Sequence, residues 1–377
     1  MAFLCKGSPQ LDKGKAASRG RAGLRRRFLS LPGGGKRKER EKVEKVRTGI
    51  VGCGGIAATH VENMLTMEDV EISALAAGNL ARRQALGQRV PAARQYGDWR
   101  EMLEQEELDA LLVCVTPDRH EGIEQAAAAR GIHLYVEKPL ELDIERAEAI
   151  GRAVEKAGVL CSVGYQERYC PALSQVKEAL AQGRLGALGH VYGRWIGGLP
   201  ASAWWRRKAS SGGQVVEQCT HIFDALRFLL GEASAVRCRP VGDPFPPETA
   251  DVERASCAEV AFASGLSAVI LTGCYLGPQG LPDVGFTLHG EKGRVEYRWG
   301  QEALFLTRES RQTVPAPHTH RQALEAFFRA VRENNPAYIR SPYRDALRSF
   351  RLTLAANESM AAGGGWISLP ADASAGA

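Results

Sequence analysis

From residue 46 onward, short apolar runs alternate with stretches whose apolar positions recur every three or four residues. The runs at 46–51 (VRTGIV), 70–77 (VEISALAA), 109–115 (DALLVCV) and 133–136 (HLYV) are too short for helices, so they read as buried strands. Helix-compatible segments lie between them: one after the glycines at 52–55, a polar one at 98–106, and an alanine-rich one from Thr116-Pro117-Asp118-Arg119-His120 to Arg130, closed by Gly131. Strands alternating with helices of this length predict a parallel sheet wound by right-handed crossovers. Past residue 166 the texture changes. Strand-like runs at 187–196, 234–240, 252–275, 283–289 and 293–307 follow one another, with turn signals at Ala263-Ser264-Gly265 and Gly290-Glu291-Lys292-Gly293. These predict an open, mainly antiparallel sheet, and a helix at 343–361 closes the chain. The class is α/β followed by α+β, with expected divisions at 46–165 and 166–370.

A length of 377 residues suits two such domains, and 44% hydrophobic with 24% charged residues is the composition of a globular chain. The net charge of +6 is unevenly spread: residues 1–45 carry +10 and the remainder −4. The body therefore offers no general footprint for nucleic acid, and any polyanion binding would belong to the tail. That tail lacks an apolar period and reads as a disordered basic extension. Its Arg25-Arg26-Arg27-Phe28-Leu29 is similar to a twin-arginine export core, but Ser30-Leu31-Pro32-Gly33-Gly34-Gly35 follows where an apolar region would be needed. No run of 18 apolar residues occurs, so no membrane-spanning helix and a cytoplasmic location are expected. Nine cysteines without a C-x-x-C pair read as buried, reduced thiols.

Gly52-Cys53-Gly54-Gly55-Ile56-Ala57, between a strand and a helix, has the spacing of a dinucleotide-binding turn. The first glycine permits the turn, the second lets the backbone approach a pyrophosphate, and the small Ala57 lets helix pack on strand. The second strand ends in Gly78-Asn79 rather than in the acid that holds the ribose hydroxyls of NAD. Arg82 and Arg83 follow, either as partners for a 2′-phosphate or as a solvated helix face. NADP or NAD is the expected cofactor, with NADP favoured. Ligands of parallel sheets lie beyond the strands' carboxyl ends, where Thr116, Pro117, His120, Glu137 and Lys138 fall.

The glycine motif, Thr116-Pro117-x-x-His120, and Glu137-Lys138-Pro139 together resemble the Gfo/Idh/MocA family of oxidoreductases. So do the segments 163–171 (VGYQERYCP), 212–224 (GGQVVEQCTHIFD) and 288–293 (LHGEKG), in the family's order. The resemblance implies a Rossmann-type nucleotide domain, a second α+β domain whose closing helix at about 343–361 packs back on the first, and hydride transfer to or from a sugar, sugar derivative or cyclitol. Lys138 matches the family's catalytic lysine. Glu217 and His221, spaced i, i+4, would share a helix face, the acid orienting the ring and favouring its protonated form, or would satisfy each other at a seam between domains. Glu217 stands where family members place aspartate. Asp224, one turn on, Gln166 in the crossing segment, and Arg206 within Trp204-Trp205-Arg206-Arg207-Lys208 complete the candidate substrate residues, the last stretch being equally suited to an interface. His318 and His320 lack a third ligand of suitable spacing for a metal site, and none is expected. A cofactor-retaining glycosidase of the same family and a non-catalytic cofactor sensor are the alternatives; a homo-oligomer is expected, with the second sheet's outer face as a dimer surface.

Overall fold

The structure, a computed structural model, describes residues 45–242 and 249–370. The basic tail, its arginine triplet and Cys5 lie outside the described residues. Six strands, β1 (Val46–Val51), β2 (Val70–Ala76), β3 (Arg94–Tyr96), β4 (Ala110–Val113), β5 (His133–Val136) and β6 (Cys161–Val163), form one sheet in the order β3-β2-β1-β4-β5-β6. All its pairings are parallel. β4 is buried along its whole length, as a strand covered on both faces must be. The order reverses between β1 and β4, and this is where a crevice opens at the carboxyl edge of a doubly wound sheet.

The crossovers are α1 (Gly55–Met64), α2 (Leu80–Gly87), α3 (Trp99–Gln105), α4 (Ile123–Ala128) and α5 (Ile144–Ala157). Asn79, Asp98 and Asp143 cap α2, α3 and α5, each side chain accepting a first-turn N–H. The alanine-rich stretch is not the single helix its composition suggests. A 3-10 turn over Pro117–Arg119 is followed by left-handed Glu121 (φ 49°) and Gly122 (φ 85°), which break the i to i−4 ladder before α4 begins.

The chain then builds α6 (Pro171–Ala181), β7 (Leu188–Gly198), α7 (Lys208–Ser211), α8 (Gln214–Glu217), α9 (Thr220–Leu230) and the strands β8 (Ala233–Pro240), β9 (Ala255–Phe262), β10 (Ser267–Leu276), β11 (Asp283–Gly290), β12 (Gly293–Arg298), β13 (Glu302–Leu306) and β14 (Arg311–Pro315). With β15 (Ile367–Ser368), a short strand at the chain's far end, they form a nine-stranded sheet in the order β14-β13-β12-β11-β7-β10-β9-β8-β15. Every pairing in it is antiparallel except β7 with β10. The run at 252–275 becomes the hairpin β9–β10, as its Ala-Ser-Gly signal requires. Alternate residues of β10 face a core shared with α6 and α9, while Val269 and Leu271 face outward.

Two late helices return to the first sheet. α10 (His320–Glu333) inserts Leu324, Phe327 and Phe328 among Val61, Ile50 and Leu75, sealing the face that carries α1. No sequence signal pointed there, because an amphipathic stripe does not say which sheet it covers. α11 (Tyr343–Ala361) places Tyr343, Ala346 and Phe350 in the core of the parallel sheet and Leu352, Ala355 and Ala356 in that of the antiparallel one. No helix among the described residues is long and apolar enough to cross a membrane. Of the eight described cysteines, seven are buried and Cys257 is exposed.

Asp224 belongs to this scaffold and not to a substrate site. Its carboxylate accepts Arg168 Nε at 2.8 Å and Nη2 at 2.5 Å, and Ser349 Oγ of α11 at 2.5 Å, all buried. Arg168 also pairs with Asp345. Asp224→Ala leaves a buried guanidinium short of a partner, and a loss of roughly 3 kcal/mol is expected in urea unfolding, with KM for substrate unchanged. A raised KM at wild-type stability would return Asp224 to the site.

Candidate active site

A cavity of about 1290 Å³ runs from the carboxyl edge of the parallel sheet to β7 and the end of β12. At its floor, Gly52 (φ 93°) brings the turn against the Cys114 carbonyl, where a Cβ would collide; at Gly54 and Gly55 a Cβ would meet nothing within 4 Å. The turn's backbone thus faces open space at the N-terminus of α1, where free N–H groups and the helix dipole favour a pyrophosphate. Gly52, Gly54, Gly55 and Ile56 line the cavity, and Ala57 lies beneath them in the core, which lets α1 sit close on β1. These residues fit a dinucleotide. Thr116, Pro117, Glu137, Lys138 and Gln166 also line it.

The outer end holds Asn79, Arg82, Asp98, Trp99 and Arg100. Arg83 does not reach it, because its Nη1 donates to the Ala77 carbonyl at 2.5 Å. No sequence signal marked Asp98, Trp99 and Arg100, although they lie two to four residues past β3, whose carboxyl end meets this edge. Asp98 places a carboxylate at this end of the cavity, where β2 is followed by none, and it accepts Arg100 N–H at 2.9 Å.

At the inner end Lys138 extends from the turn after β5. Its Nζ donates to Glu217 Oε1 at 2.7 Å and to the Glu217 carbonyl at 2.8 Å. Burial raises the Glu217 pKa and the Lys138 charge offsets part of that rise. Glu217 ends the single-turn α8, Gln218 and Cys219 intervene, and His221 belongs to α9. The i, i+4 pairing of Glu217 with His221 therefore does not form: the helical path is interrupted between them and the carboxylate is engaged by Lys138. His221 instead stacks on Trp195 (centroids 5.5 Å apart, planes 22°), with Trp299 at 5.3 Å. Burial, then the Lys138 ammonium, then His320 hold its pKa well below the ordinary 6.5, so the ring is neutral rather than biased toward its protonated form.

Two further candidates lie off the cavity. His120 is 2% exposed and hydrogen-bonds Glu124 through Nδ1, because the break before α4 turns its ring inward. Arg206 donates its Nε to the Pro200 carbonyl at 2.6 Å, tying down a loop whose Trp204 and Trp205 do line the cavity. Trp195, Trp299, His318 and His320 line it as well. No group of three His, Cys, Asp or Glu side chains placed for a metal occurs among the described residues. Trp195 and Trp299 are strand and strand-end residues whose facing depends on the sheet's packing, so no linear signal marks them.

The family profile described as "Oxidoreductase family, NAD-binding Rossmann fold" (GFO_IDH_MocA) matches residues 46–165, and that of the "GFO/IDH/MocA C-terminal domain" matches 173–296. The chain belongs to the Gfo/Idh/MocA family. Among its relatives, myo-inositol 2-dehydrogenase of Thermotoga maritima is 28% identical over 50% of this chain and 55% of its own. The scyllo-inositol 2-dehydrogenase (NAD(+)) of Bacillus subtilis is 28% identical over 59% and 65%. The chain thus spans between about half and two thirds of the length of these Gfo/Idh/MocA relatives. Levoglucosan dehydrogenase, solved in complex with NADH and levoglucosan, superposes with a TM-score of 0.77 at 20% identity, over 87% of this chain and all of that one, and shows the same two-sheet fold.

A neutral His221 has a consequence for stability. The unfolded chain protonates this imidazole below about pH 6.5 and the folded chain does not, so its contribution is complete above that pH and is lost as pH falls toward the depressed folded value. The melting temperature of the wild type is expected to fall more between pH 7 and pH 5.5 than that of His221→Gln. Parallel curves would mean that the ring is protonated in the fold.

Proposed function

We propose that the chain is an NAD(P)-dependent dehydrogenase acting on a carbinol carbon of a sugar, sugar derivative or cyclitol. The observation that carries this reading is a set of buried polar atoms without a protein partner around Lys138: Trp205 Nε1, Glu217 Oε2 and His221 Nδ1, beside the indole faces of Trp195, Trp205 and Trp299. Polar atoms so buried are normally hydrogen-bonded. A ring bearing hydroxyls on an apolar C–H face matches both the unpaired atoms and the indoles. The inositol specificities of the relatives and the levoglucosan of the structural neighbour agree with that ligand chemistry.

When bound, the nicotinamide donates or accepts the hydride. The chain's own residues do the rest: the Lys138 ammonium hydrogen-bonds the reacting oxygen and stabilises its alkoxide character, Glu217 fixes that ammonium, and neutral His221 is in the form that can take the hydroxyl proton. Gln166 lines the same pocket as a further substrate contact. Lys138→Ala is expected to lower kcat about a hundredfold or more, the cost of losing a transition-state donor, with little change in cofactor affinity. Near-wild-type turnover on an accepted polyol would remove Lys138 from the reaction and favour a cofactor sensor.

For the adenosine end, Arg82 and Arg100 at the cavity mouth favour NADP alongside NAD. Arg82→Ala should weaken NADP by about 1.5 to 3 kcal/mol, as for a lost hydrogen bond to a charged group, and leave NAD nearly unchanged in fluorescence titration. Equal losses would place Arg82 away from a 2′-phosphate. The outer face of the antiparallel sheet, with Tyr192, Val269, Leu271 and Tyr275 each 38–40% exposed, is the surface we assign to a homo-oligomer.

A further inference from the structure

Behind the reacting end lies a buried contact that neither the glycine turn nor Lys138 explains. His60, in the second turn of α1, is 0% exposed, and its Nε2 lies 2.7 Å from Glu137 Oε1. The other oxygen of the same carboxylate accepts the backbone N–H of Lys138 at 3.3 Å and packs on Gly164, where an added Cβ would stand 2.7 Å away. Glu137 is itself pinned at the end of β5, its N–H donating to the Val113 carbonyl at 2.9 Å. One carboxylate therefore joins the helix that begins at the pyrophosphate turn to the turn that carries the lysine.

Its surroundings give it no freedom to do anything else. The His60 ring meets Tyr135 edge-on at 5.3 Å and His320 at 6.1 Å, so it is wedged between β5 and α10. Burial alone would raise the Glu137 pKa. The His60 hydrogen bond, with the Lys138 ammonium nearby, outweighs burial and lowers it, so the carboxylate stays ionised. An ionised carboxylate in a dry site keeps its geometry only while its donors remain.

We propose that His60 is a positioning residue for the transfer reaction: through Glu137 it holds α1 and the Lys138 turn in one fixed relation, so that a dinucleotide seated on the first is aligned with an oxygen bound by the second. The proposal rests on the dehydrogenase reading for its rate effects, and on geometry alone for the coupling. Alignment matters because a displacement on the order of 1 Å can cost roughly a hundredfold in rate without a comparable loss of binding.

Three variants separate alignment from folding. His60→Phe keeps the ring's bulk and removes the donor. His60→Gln returns a donor near the position of Nε2. His60→Phe with Glu137→Gln removes the unpaired charge but does not restore the tie. We expect kcat of His60→Phe to fall about 10- to 100-fold, with NADH affinity within about threefold of wild type. His60→Gln should recover most of the rate, and the double variant should recover the melting temperature without recovering kcat. The fluorescence lifetime of bound NADH, which needs no turnover, should broaden in His60→Phe and narrow again in His60→Gln. Unchanged kcat and lifetime in His60→Phe would overturn the proposal. A double variant that regains stability and rate together would reduce His60 to a folding role. A wild type that binds NADH but turns over no polyol would remove the dehydrogenase reading, while the lifetimes would still decide the coupling.

Discussion

The Lys138 ammonium sits 2.7 Å from Glu217 with only 13% of the lysine side chain and 5% of the glutamate exposed. A charge so far removed from water is tolerable only when its partner is fixed in place, and here the partner comes from a helical turn in the half of the chain that builds the other sheet. Lys138 is delivered by the turn after β5 and Glu217 by the single turn of α8, so the pair forms only when the parallel and antiparallel sheets are docked. The remainder of the site follows from that docking. His221 is carried to the same place by α9 and is held between Trp195 and Trp299, and the ammonium beside it helps to keep its ring neutral.

The docking itself is maintained by segments distant in sequence from the residues they serve. α11 shares its buried face between the two cores, and the Asp224–Arg168–Asp345 cluster joins α9, the crossing segment and α11 in one largely buried network. α10 closes the first sheet from a position more than 250 residues after β1 began it. A site made in a cleft between two sheets needs walls that do not drift, because the hydrogen bonds that orient a reacting carbon lose effect quickly with displacement.

Much of the fold was legible in the sequence for a local reason. A parallel sheet announces itself through short apolar runs separated by helical ones. A glycine turn is equally local: Gly52 must adopt a positive φ and press against Cys114, and those needs are met by residues adjacent in the chain. Lys138 was found in the same way, from its place after a strand. The length of α11 was set by its own periodicity.

What sequence spacing could not supply were relations that depend on where the backbone goes next. Glu217 and His221 are four residues apart, yet the helix breaks between them, so the carboxylate turns to Lys138. His120 follows a threonine and a proline at a strand end, yet the left-handed pair Glu121 and Gly122 rotates it onto Glu124. Arg206 sits among tryptophans that reach the cavity and itself bonds a carbonyl in its own loop. The amino-acid order alone thus determined most of the strands, though not β3, β6, β14 and β15, together with the glycine turn and the position of the lysine, because each rests on interactions between near neighbours. The partner of that lysine, the neutral state of His221 and the tryptophan walls were decided by tertiary structure, because each rests on burial and on charges brought together from separate elements.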